Sequence, residues 1–546
     1  MKKDVKSSVA DILKQEGIKY VFGHTGGHIM HMWEAVNNAG IKIIFNKQEG
    51  NAVYMADGHT RVTGIPSVIL GTAGPGATNM LTGIATAYLD SIPLIAIGAT
   101  VDSSAFGRNP IQDGSGRGRA TEQRLAFKAV CKQAMLAPSP QEVPNMVREA
   151  FRIALSGRPG PVYIEIPSDF WGIEIDYQRI KPNQYKNTTI PRCNLKACQK
   201  ISKALYGSIK PLIVVGAGAE EKGINDKLEK FLKATQIPFS VAPIAKNYID
   251  EFNPLYLGVM RGTGNTQKVY EYMRKADFVL FLGDRMQEWE MNWYDDSLIK
   301  NAKLAQIDPD PEEIGRVYPI DLSSIGSISS FIDSVPHKKH KNSIKLKKDV
   351  EILYKKFSRE KRYKDGDGIN PLNLNNIIEE MASKDATIVC DTGYAKSMAI
   401  MKFRTNHKQK FLVADNNGPM GYSVPAALGA ALATKKEVIC FVGDGGFQMS
   451  LNELGTALNY KLKVIYILQK NKGCASLTNF HSQVYGHHCA TTFKNPDYIK
   501  MAESYGMKGY GATNSEELKT TFAKAKKDKT SVIIEIQVDQ DLMKWE

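Results

Sequence analysis

Short apolar runs, each followed by a helix-forming stretch, recur along nearly the whole chain. That rhythm limits the folds open to it more than any other feature, because it implies parallel sheets covered by helices on both faces. The runs fall into three blocks. In residues 1–175 they are YVFG (20–23), KIIF (42–45), SVILGTA (67–73), PLIAIGA (93–99) and VYIEIP (162–167), the last fed by the Pro/Gly turn SGRPGPV (156–162). In residues 190–335 they are PLIVVGAGA (211–219), FVLFLGDR (278–285) and KLAQIDPDP (303–311). In residues 365–546 they are ATIVCD (386–391), KFLVAD (410–415), EVICFVGD (437–444), VIYIL (464–468) and SVIIEIQV (531–538). The expected fold is three consecutive parallel-sheet α/β domains, with the first and third as two copies of one architecture.

Composition excludes several other classes. With 43% hydrophobic and 23% charged residues among 546, the chain has an ordinary globular make-up. Its longest apolar runs fall far short of the ~18–20 residues of a membrane helix, so no membrane partner is expected. The start, MKKDVKSSVADILKQEG, lacks a continuous apolar core and is read as an amphipathic helix rather than a signal peptide. Seven scattered cysteines, with Cys193 and Cys198 too far apart for C-x-x-C, fit reduced thiols in a cytoplasm. Much of the net charge of +14 lies in the run 337–364. That run has no aromatic interleaving and no nucleic-acid motif, so it is read as a solvated linker and helix face, with no nucleic-acid partner.

One stretch carries chemistry: Gly443-Asp444-Gly445-Gly446-Phe447, at the end of an apolar strand. Ligands of parallel α/β sheets bind beyond the carboxyl ends of strands. Glycines let a backbone come close to a ligand and offer N–H groups to anions. A lone Asp repels a phosphate unless it holds a divalent cation that bridges to it. The next strand ends in QKNKG (469–473), which would bring the Asn471 side chain and the Gly473 carbonyl beside Asp444 as further oxygen ligands. The bland alternative is an Asp-Gly turn, with Ser450 and Glu453 as a capping box.

Asp444-Gly445 followed, after one helix and one strand, by Asn471 resembles the thiamine-diphosphate motif. The likeness extends over nearly the whole chain, above all to acetolactate synthase-like and benzaldehyde lyase-like enzymes. It implies pyrimidine-binding, central and diphosphate-binding domains in that order, and Asp444, Asn471 and the Gly473 carbonyl as ligands of Mg2+. Lys470 stands where the family often has a first Asn. Glu49, just past KIIF, matches the carboxylate that hydrogen-bonds the cofactor's aminopyrimidine and promotes its imino form; taken alone, Glu49 reads rather as a helix-start acid, and the residues that follow it carry the match. Ala56-Asp57-Gly58, Arg61, Gly64 and the GTAGPGATN loop (71–79) extend the match.

The same resemblance places His28 where benzaldehyde lyase-like enzymes carry an active-site histidine, beside Gly26 and Gly27, with Thr25 replacing a common proline. It makes Gln112 a candidate active-site glutamine. It puts Gly393, Tyr394 and Ala395 at the diphosphate, with Gly418 nearby, and Met420 under the bent cofactor. Ala475, Ser476, Leu477 and Phe480 would line the substrate pocket, although acetolactate synthases carry Trp near Phe480. The adjacent His487 and His488 suit a lid or surface rather than a chelate. Acetolactate synthases hold FAD in the middle domain, and LGVMRGTGN (257–265) and FLGDR (281–285) resemble flavin-contacting stretches. GAGAEEKG (216–223) is not a dinucleotide fingerprint, and non-flavin relatives keep the same domain, so FAD and a vestigial nucleotide site both stay open.

The implied activity is thiamine-diphosphate-dependent making or breaking of C–C bonds in 2-keto acids, aldehydes or 2-hydroxy ketones, in a homodimer or homotetramer. A 2-keto acid decarboxylase or a cyclic-dione hydrolase would share the cofactor residues. A non-catalytic cofactor-binding regulator would be expected to lack Glu49.

Overall fold

The computed structural model describes residues 1–187, 189–221, 223–261, 267–357 and 363–539. Three six-stranded sheets carry the fold, and every pairing within them is parallel. The first has the spatial order Lys42–Phe45, Tyr20–Gly23, Ser67–Gly71, Leu94–Thr100, Val162–Pro167, Gln133–Leu136. The third has the order Lys410–Val413, Thr387–Cys390, Val438–Gly443, Ile465–Lys470, Val532–Gln537, Lys508–Ala512. Numbered by position in the chain, both run second, first, third, fourth, sixth, fifth, so these two domains repeat one topology. The middle sheet differs: Tyr256–Val259, Phe239–Val241, Pro211–Val215, Phe278–Leu282, Lys303–Asp308, Leu322–Ile325.

Five of these strands lack the long apolar signature. Gln133–Leu136 and Lys508–Ala512 are edge strands and half-exposed, so nothing demands a continuous apolar run. Phe239–Val241, Tyr256–Val259 and Leu322–Ile325 are only three or four residues long. At the start of the chain Lys2–Asp4 pairs antiparallel with Glu174–Asp176. The amphipathic helix therefore begins at Val5, where the Asp4 side chain accepts the Ser7 N–H.

Strand alternation shows how the third sheet is covered. Ile388, Cys390, Ile439, Phe441, Ile465 and Ile467 join the core shared with the middle domain. Val389, Cys440, Val442, Tyr466 and Leu468 point the other way, into a core shared with the first domain. The sheet is thus apolar on both faces because it lies between two partners.

On the first-domain side the helix Glu49–Thr63 crosses the helix Ser423–Ala433 at very short range. A Cβ on Gly58 would lie 2.1 Å from the Ala426 carbonyl oxygen, and one on Gly429 would lie 1.9 Å from that of Met55. Beside this crossing Arg61 is buried among Asp57 (2.6 Å), Asp90 (2.8 Å) and the Val413 carbonyl, and the Tyr422 hydroxyl donates to Asp57.

The basic run contributes the helix Ser343–Phe357, which buries Leu346, Val350 and Leu353 and turns most of its lysines outward; residues 358–362 of the run lie outside the described residues. Among the described residues no helix is long and apolar enough to cross a membrane.

Candidate functional site

In each sheet the connections from two neighbouring strands, one of them the first in the chain, run to opposite sides, and a crevice opens there beyond the strand ends. In the first sheet it lies between Gly23 and Gly71, flanked by the His24–His28 and Thr72–Pro75 loops. In the third it lies between Cys390 and Gly443, and so between Asp391-Thr392-Gly393 and Asp444-Gly445-Gly446.

Asp444 opens the short helix Asp444–Ser450, with Gly443 as its N-cap. Its carboxylate is fully buried. One oxygen accepts the Gly445 N–H (3.0 Å); the other accepts the Asn471 N–H (3.0 Å) and the Asn495 side-chain amide (2.6 Å). Burial pushes Asp444 above the usual carboxylate range, and these hydrogen bonds oppose the shift. Strands 438–443 and 465–470 run side by side with Gly443 opposite Gln469, which sets Asn471 against Asp444.

The Asn471 side-chain oxygen faces the first Asp444 oxygen at 3.0 Å and the Gly473 carbonyl oxygen at 2.6 Å. With its nitrogen inward the Asn471 amide would donate to both of these oxygens. With its oxygen inward, carboxylate, amide and carbonyl form a ligand set of the kind Mg2+ takes, whose ~2.0–2.1 Å bonds place neighbouring octahedral ligands ~3 Å apart. The residues present therefore fit the metal. Gly473 can offer its carbonyl because it sits at φ +151°, where a Cβ would meet the Thr491 carbonyl at 2.2 Å. Lys470 pairs with Glu535 (2.8 Å).

Ser450 and Glu453 form no capping box. The Ser450 hydroxyl bonds to Gly421 and Asn51, while Glu453 accepts from Asn46 and from the Lys47 N–H of the first domain. The alternative reading of this helix start is therefore corrected: both side chains join domains.

Asp391 was not picked out by sequence reasoning. Its buried carboxylate accepts the Gly421 N–H (3.0 Å) and both the N–H and hydroxyl of Ser423 (2.9 and 2.8 Å). It thereby ties down the loop bearing Gly418 and Met420. Gly446 gives it room, since a Cβ there would lie 2.5 Å from the carboxylate. The Met420 methyl sits 3.0 Å from where a Gly445 side chain would start. Gly393, at φ +98°, precedes the helix Tyr394–Lys402, in which Tyr394 and Ala395 are buried.

A cavity of about 610 Å³ opens beside Gly393, Gly418 and Ser476 and runs to Arg261, Arg285 and Trp289 of the middle domain. Burial alone would raise Asp415 in its wall, but Lys396 and Arg261, at 3.2 and 3.1 Å, hold it below the usual carboxylate range. Leu477 and Phe480 do not line this cavity; they lie exposed on the helix Ala475–Tyr485, whose first residue, Ala475, is buried. His487 and His488 are exposed as well.

In the first domain Glu49 is the first residue of its helix, capped by the Gln48 side chain, and is nearly fully buried. Its carboxylate accepts the Asn79 side-chain amide (3.0 Å) and lies 3.3 Å from where Gly76 would carry a Cβ. The GPGATN loop is thus wrapped around Glu49. Gln112, at φ +60°, packs against Gly74 of that loop. Gly26 packs on Thr72, and a Cβ at Gly27 would meet open space. His28 is half-buried; its carbonyl accepts from the Trp171 indole, and its Nδ1 has no partner among the described residues. None of Glu49, His28 and Gln112 lines the 610 Å³ cavity.

In the middle domain the crevice lies between Gly216 and Gly283-Asp284. One oxygen of Asp308 accepts the Asp310 N–H (2.9 Å). The other is buried without a partner among the described residues, 3.0 Å from where a Gly218 Cβ would stand. Burial lifts Asp308 to about 7. An unsatisfied carboxylate at this place fits a ribose hydroxyl donor, as in a nucleotide cofactor. Of the stretch 257–265, residues 262–265 lie outside the described residues.

Comparison with known proteins agrees with this layout. Residues 3–117 match the N-terminal TPP binding domain of thiamine pyrophosphate enzymes, residues 198–335 their central domain, and residues 391–536 their C-terminal TPP binding domain. The acetolactate synthase of Arthrospira platensis is 30% identical over 98% of this chain and 94% of its own length. The acetolactate synthase large subunit of Cyanidium caldarium is 30% identical over 94% of this chain and 89% of its own. That of Haemophilus influenzae is 28% identical over 97% and 94%. The chain therefore belongs to the thiamine pyrophosphate enzyme family, as an acetolactate synthase-like member.

Proposed function

We propose that this enzyme makes or breaks C–C bonds of 2-keto acids or 2-hydroxy ketones, with thiamine diphosphate held through Mg2+ on Asp444, Asn471 and the Gly473 carbonyl. The meeting of the Asp444 carboxylate, the Asn471 side-chain amide and the Gly473 carbonyl at one place beyond the strand ends is the observation that carries the reading. When bound, the cofactor supplies a carbon nucleophile and an electron sink. The chain's own part is positional and protonic. Glu49, shielded by Asn79 and the GPGATN loop, accepts a hydrogen bond from the pyrimidine end and holds its proton inventory. His28 and Gln112 serve the substrate's carbonyl oxygen. Met420, whose methyl packs beside Gly445, would support the bound cofactor from below.

We read the middle domain as the seat of FAD, supported by the unsatisfied Asp308 oxygen in its crevice and by the cavity that Arg261, Arg285 and Trp289 of that domain share with the diphosphate loops. The absorbance spectrum of the purified protein tests that. We infer a homodimer or homotetramer in which a second copy completes the site. This is supported by the separation of the first-domain residues from the cavity and by the exposure of Ile111 (79%), Phe480 (57%) and Tyr485 (65%). Sedimentation analysis tests it. Seven unpaired thiols support a reducing cytoplasm.

The deciding assay supplies thiamine diphosphate and Mg2+ with pyruvate, alone and with an added aldehyde, and follows CO2 and 2-hydroxy ketone. Glu49→Gln should bind the cofactor and lose ~10²–10⁴-fold in turnover, the usual share of acid–base catalysis. CO2 and free aldehyde without ligation would make the enzyme a decarboxylase. No cofactor binding by wild type would overturn the proposal.

A further inference from the structure

We propose that Gln123 is a positioning residue for this reaction: its buried side-chain amide fastens the loop that carries Gly74, while its main-chain N–H holds the loop that carries Gln112. The inference rests on the reading of Glu49 and Gln112 given above.

Both loops hold backbone conformations that need support. Gly74 sits at φ +64°, ψ −114°, a region closed to residues with a side chain, and it begins the turn that wraps Glu49. Gln112 is at φ +60°, a left-handed conformation that a residue with a side chain keeps only where its surroundings enforce it. The two touch: a Cβ on Gly74 would lie 3.0 Å from that of Gln112.

Gln123 opens the helix Gln123–Lys128 beneath them and is 1% exposed. Its side-chain oxygen accepts the Gly74 N–H (2.9 Å). Its side-chain nitrogen donates to the Ala99 carbonyl (3.2 Å) and to the Tyr163 hydroxyl (2.5 Å). Its own N–H donates to the Gly114 carbonyl (3.1 Å), two residues beyond Gln112. Gly114 packs directly on it, since a Cβ there would lie 2.8 Å from the Gln123 oxygen.

The anchor beneath is rigid. The Tyr163 ring stacks on Phe127 at 3.7 Å and 4°. Its hydroxyl fits only because residue 98 is glycine, where a Cβ would lie 2.2 Å away, and it stands 3.4 Å from the buried Glu165 carboxylate. Donors and acceptors run in one direction: Gly74 to Gln123, Gln123 to Tyr163, Tyr163 to Glu165. Every polar atom of Gln123 is engaged by protein, so its work is to hold the loops rather than to touch substrate or cofactor.

The test is Gln123→Met, which roughly keeps the volume and the main-chain bond to Gly114 and removes the side-chain clamp on Gly74. Expected are a native far-ultraviolet circular dichroism spectrum and melting lowered by a few degrees, since the Gly74 N–H and Ala99 carbonyl lose their partner, with unchanged KM, unchanged affinity for thiamine diphosphate and a ten- to hundredfold lower kcat. The near-ultraviolet dichroism of the bound cofactor, which reports the tautomer of its aminopyrimidine, should change as well. A folded variant with wild-type kcat and dichroism overturns the proposal, as does a loss that falls wholly on cofactor affinity. Should the variant fail to fold, Tyr163→Phe decides. It removes one anchor and keeps the stack, and a three- to tenfold lower kcat with the same spectral change is expected, while no change overturns the proposal. Wild type without cofactor or turnover would instead sink the functional reading itself.

Discussion

Replacing Gly429 by Ala tests how closely the placement of Glu49 depends on the crossing of the two helices. The added Cβ would lie 1.9 Å from the Met55 carbonyl oxygen. Comfortable C···O approach is about 3.3–3.6 Å, so the helices must separate locally by roughly 1.4–1.7 Å. No side-chain rotamer can relieve the contact, because both atoms belong to or adjoin the backbone. Overpacking costs about 1–3 kcal/mol, while alanine returns about 1 kcal/mol of helix propensity. The backbone clash belongs at the upper end of the first range, which leaves a net loss near 2 kcal/mol. For a domain of this size that lowers melting by roughly 4–8 °C. Glu49 begins the same helix as Met55, less than two turns away. A displacement of ~1 Å in a reacting group can cost ~10²-fold in rate, so kcat should fall between ten- and a hundredfold. Gly207→Ala is the control: it ends the helix Leu195–Gly207, where a Cβ meets nothing within 4 Å. It should be neutral, or stabilising by up to about 1 kcal/mol. Scanning calorimetry and steady-state kinetics on both variants suffice. A Gly429→Ala protein that melts and turns over like wild type would refute the claim that this crossing sets the position of Glu49.

Asn495→Ala removes the 2.6 Å hydrogen bond that orients Asp444 and should weaken Mg2+-dependent cofactor binding ~10–100-fold, read by titration of the apoenzyme. Arg61→Met leaves Asp57 and Asp90 buried without their cation and should destabilise the protein by ~3–5 kcal/mol, seen as a lower denaturant midpoint. His59 is buried against Ser67, and burial, helped by Lys19, lowers it to about 4 from 6.5. Its folded value lies below the unfolded one, so its contribution to stability is complete above pH ~6.5 and is lost as pH falls toward ~4, reaching about 2 kcal/mol at pH 5. His59→Gln should flatten this part of the denaturation-versus-pH curve; an unchanged slope would exclude His59 as its source.

Much of the fold is legible because strands buried on both faces must be apolar throughout. Strand 438–443 writes itself as VICFVG, its alternate residues serving two different cores. Edge strands such as KGYGA (508–512) escape the same reasoning because one side meets solvent and the residues are free to be polar or Gly. The pairing of Asp444 with Asn471 is readable because consecutive parallel strands put consecutive strand ends side by side. Asp391 and Gln123 are not readable in this way. Asp391 holds a loop some 30 residues away in the chain, and the partners of Gln123 lie 24, 40 and 49 residues away. Neither carries a local pattern, so only the folded chain reveals what they hold. The capping-box reading of Ser450 and Glu453 failed for the related reason that domain contacts recruited both side chains.

The first and third sheets share one strand order, and so one crevice, yet they end their strands in different chemistry. In the first, the acid beyond the strand end is Glu49, satisfied by a single amide and enclosed by a loop with no cationic partner among its hydrogen bonds. In the third, the acid is Asp444, held by amide donors and set beside the Asn471 side chain, which lies in turn against the Gly473 carbonyl. A lone sheltered carboxylate suits a hydrogen bond to a neutral heterocycle. A carboxylate set beside an amide and a carbonyl suits a cation, and with it an anionic ligand. Under the proposed function, one copy of the architecture would take the uncharged end of the cofactor and the other its charged end. The difference resides in a few residues at the strand ends rather than in the fold that carries them.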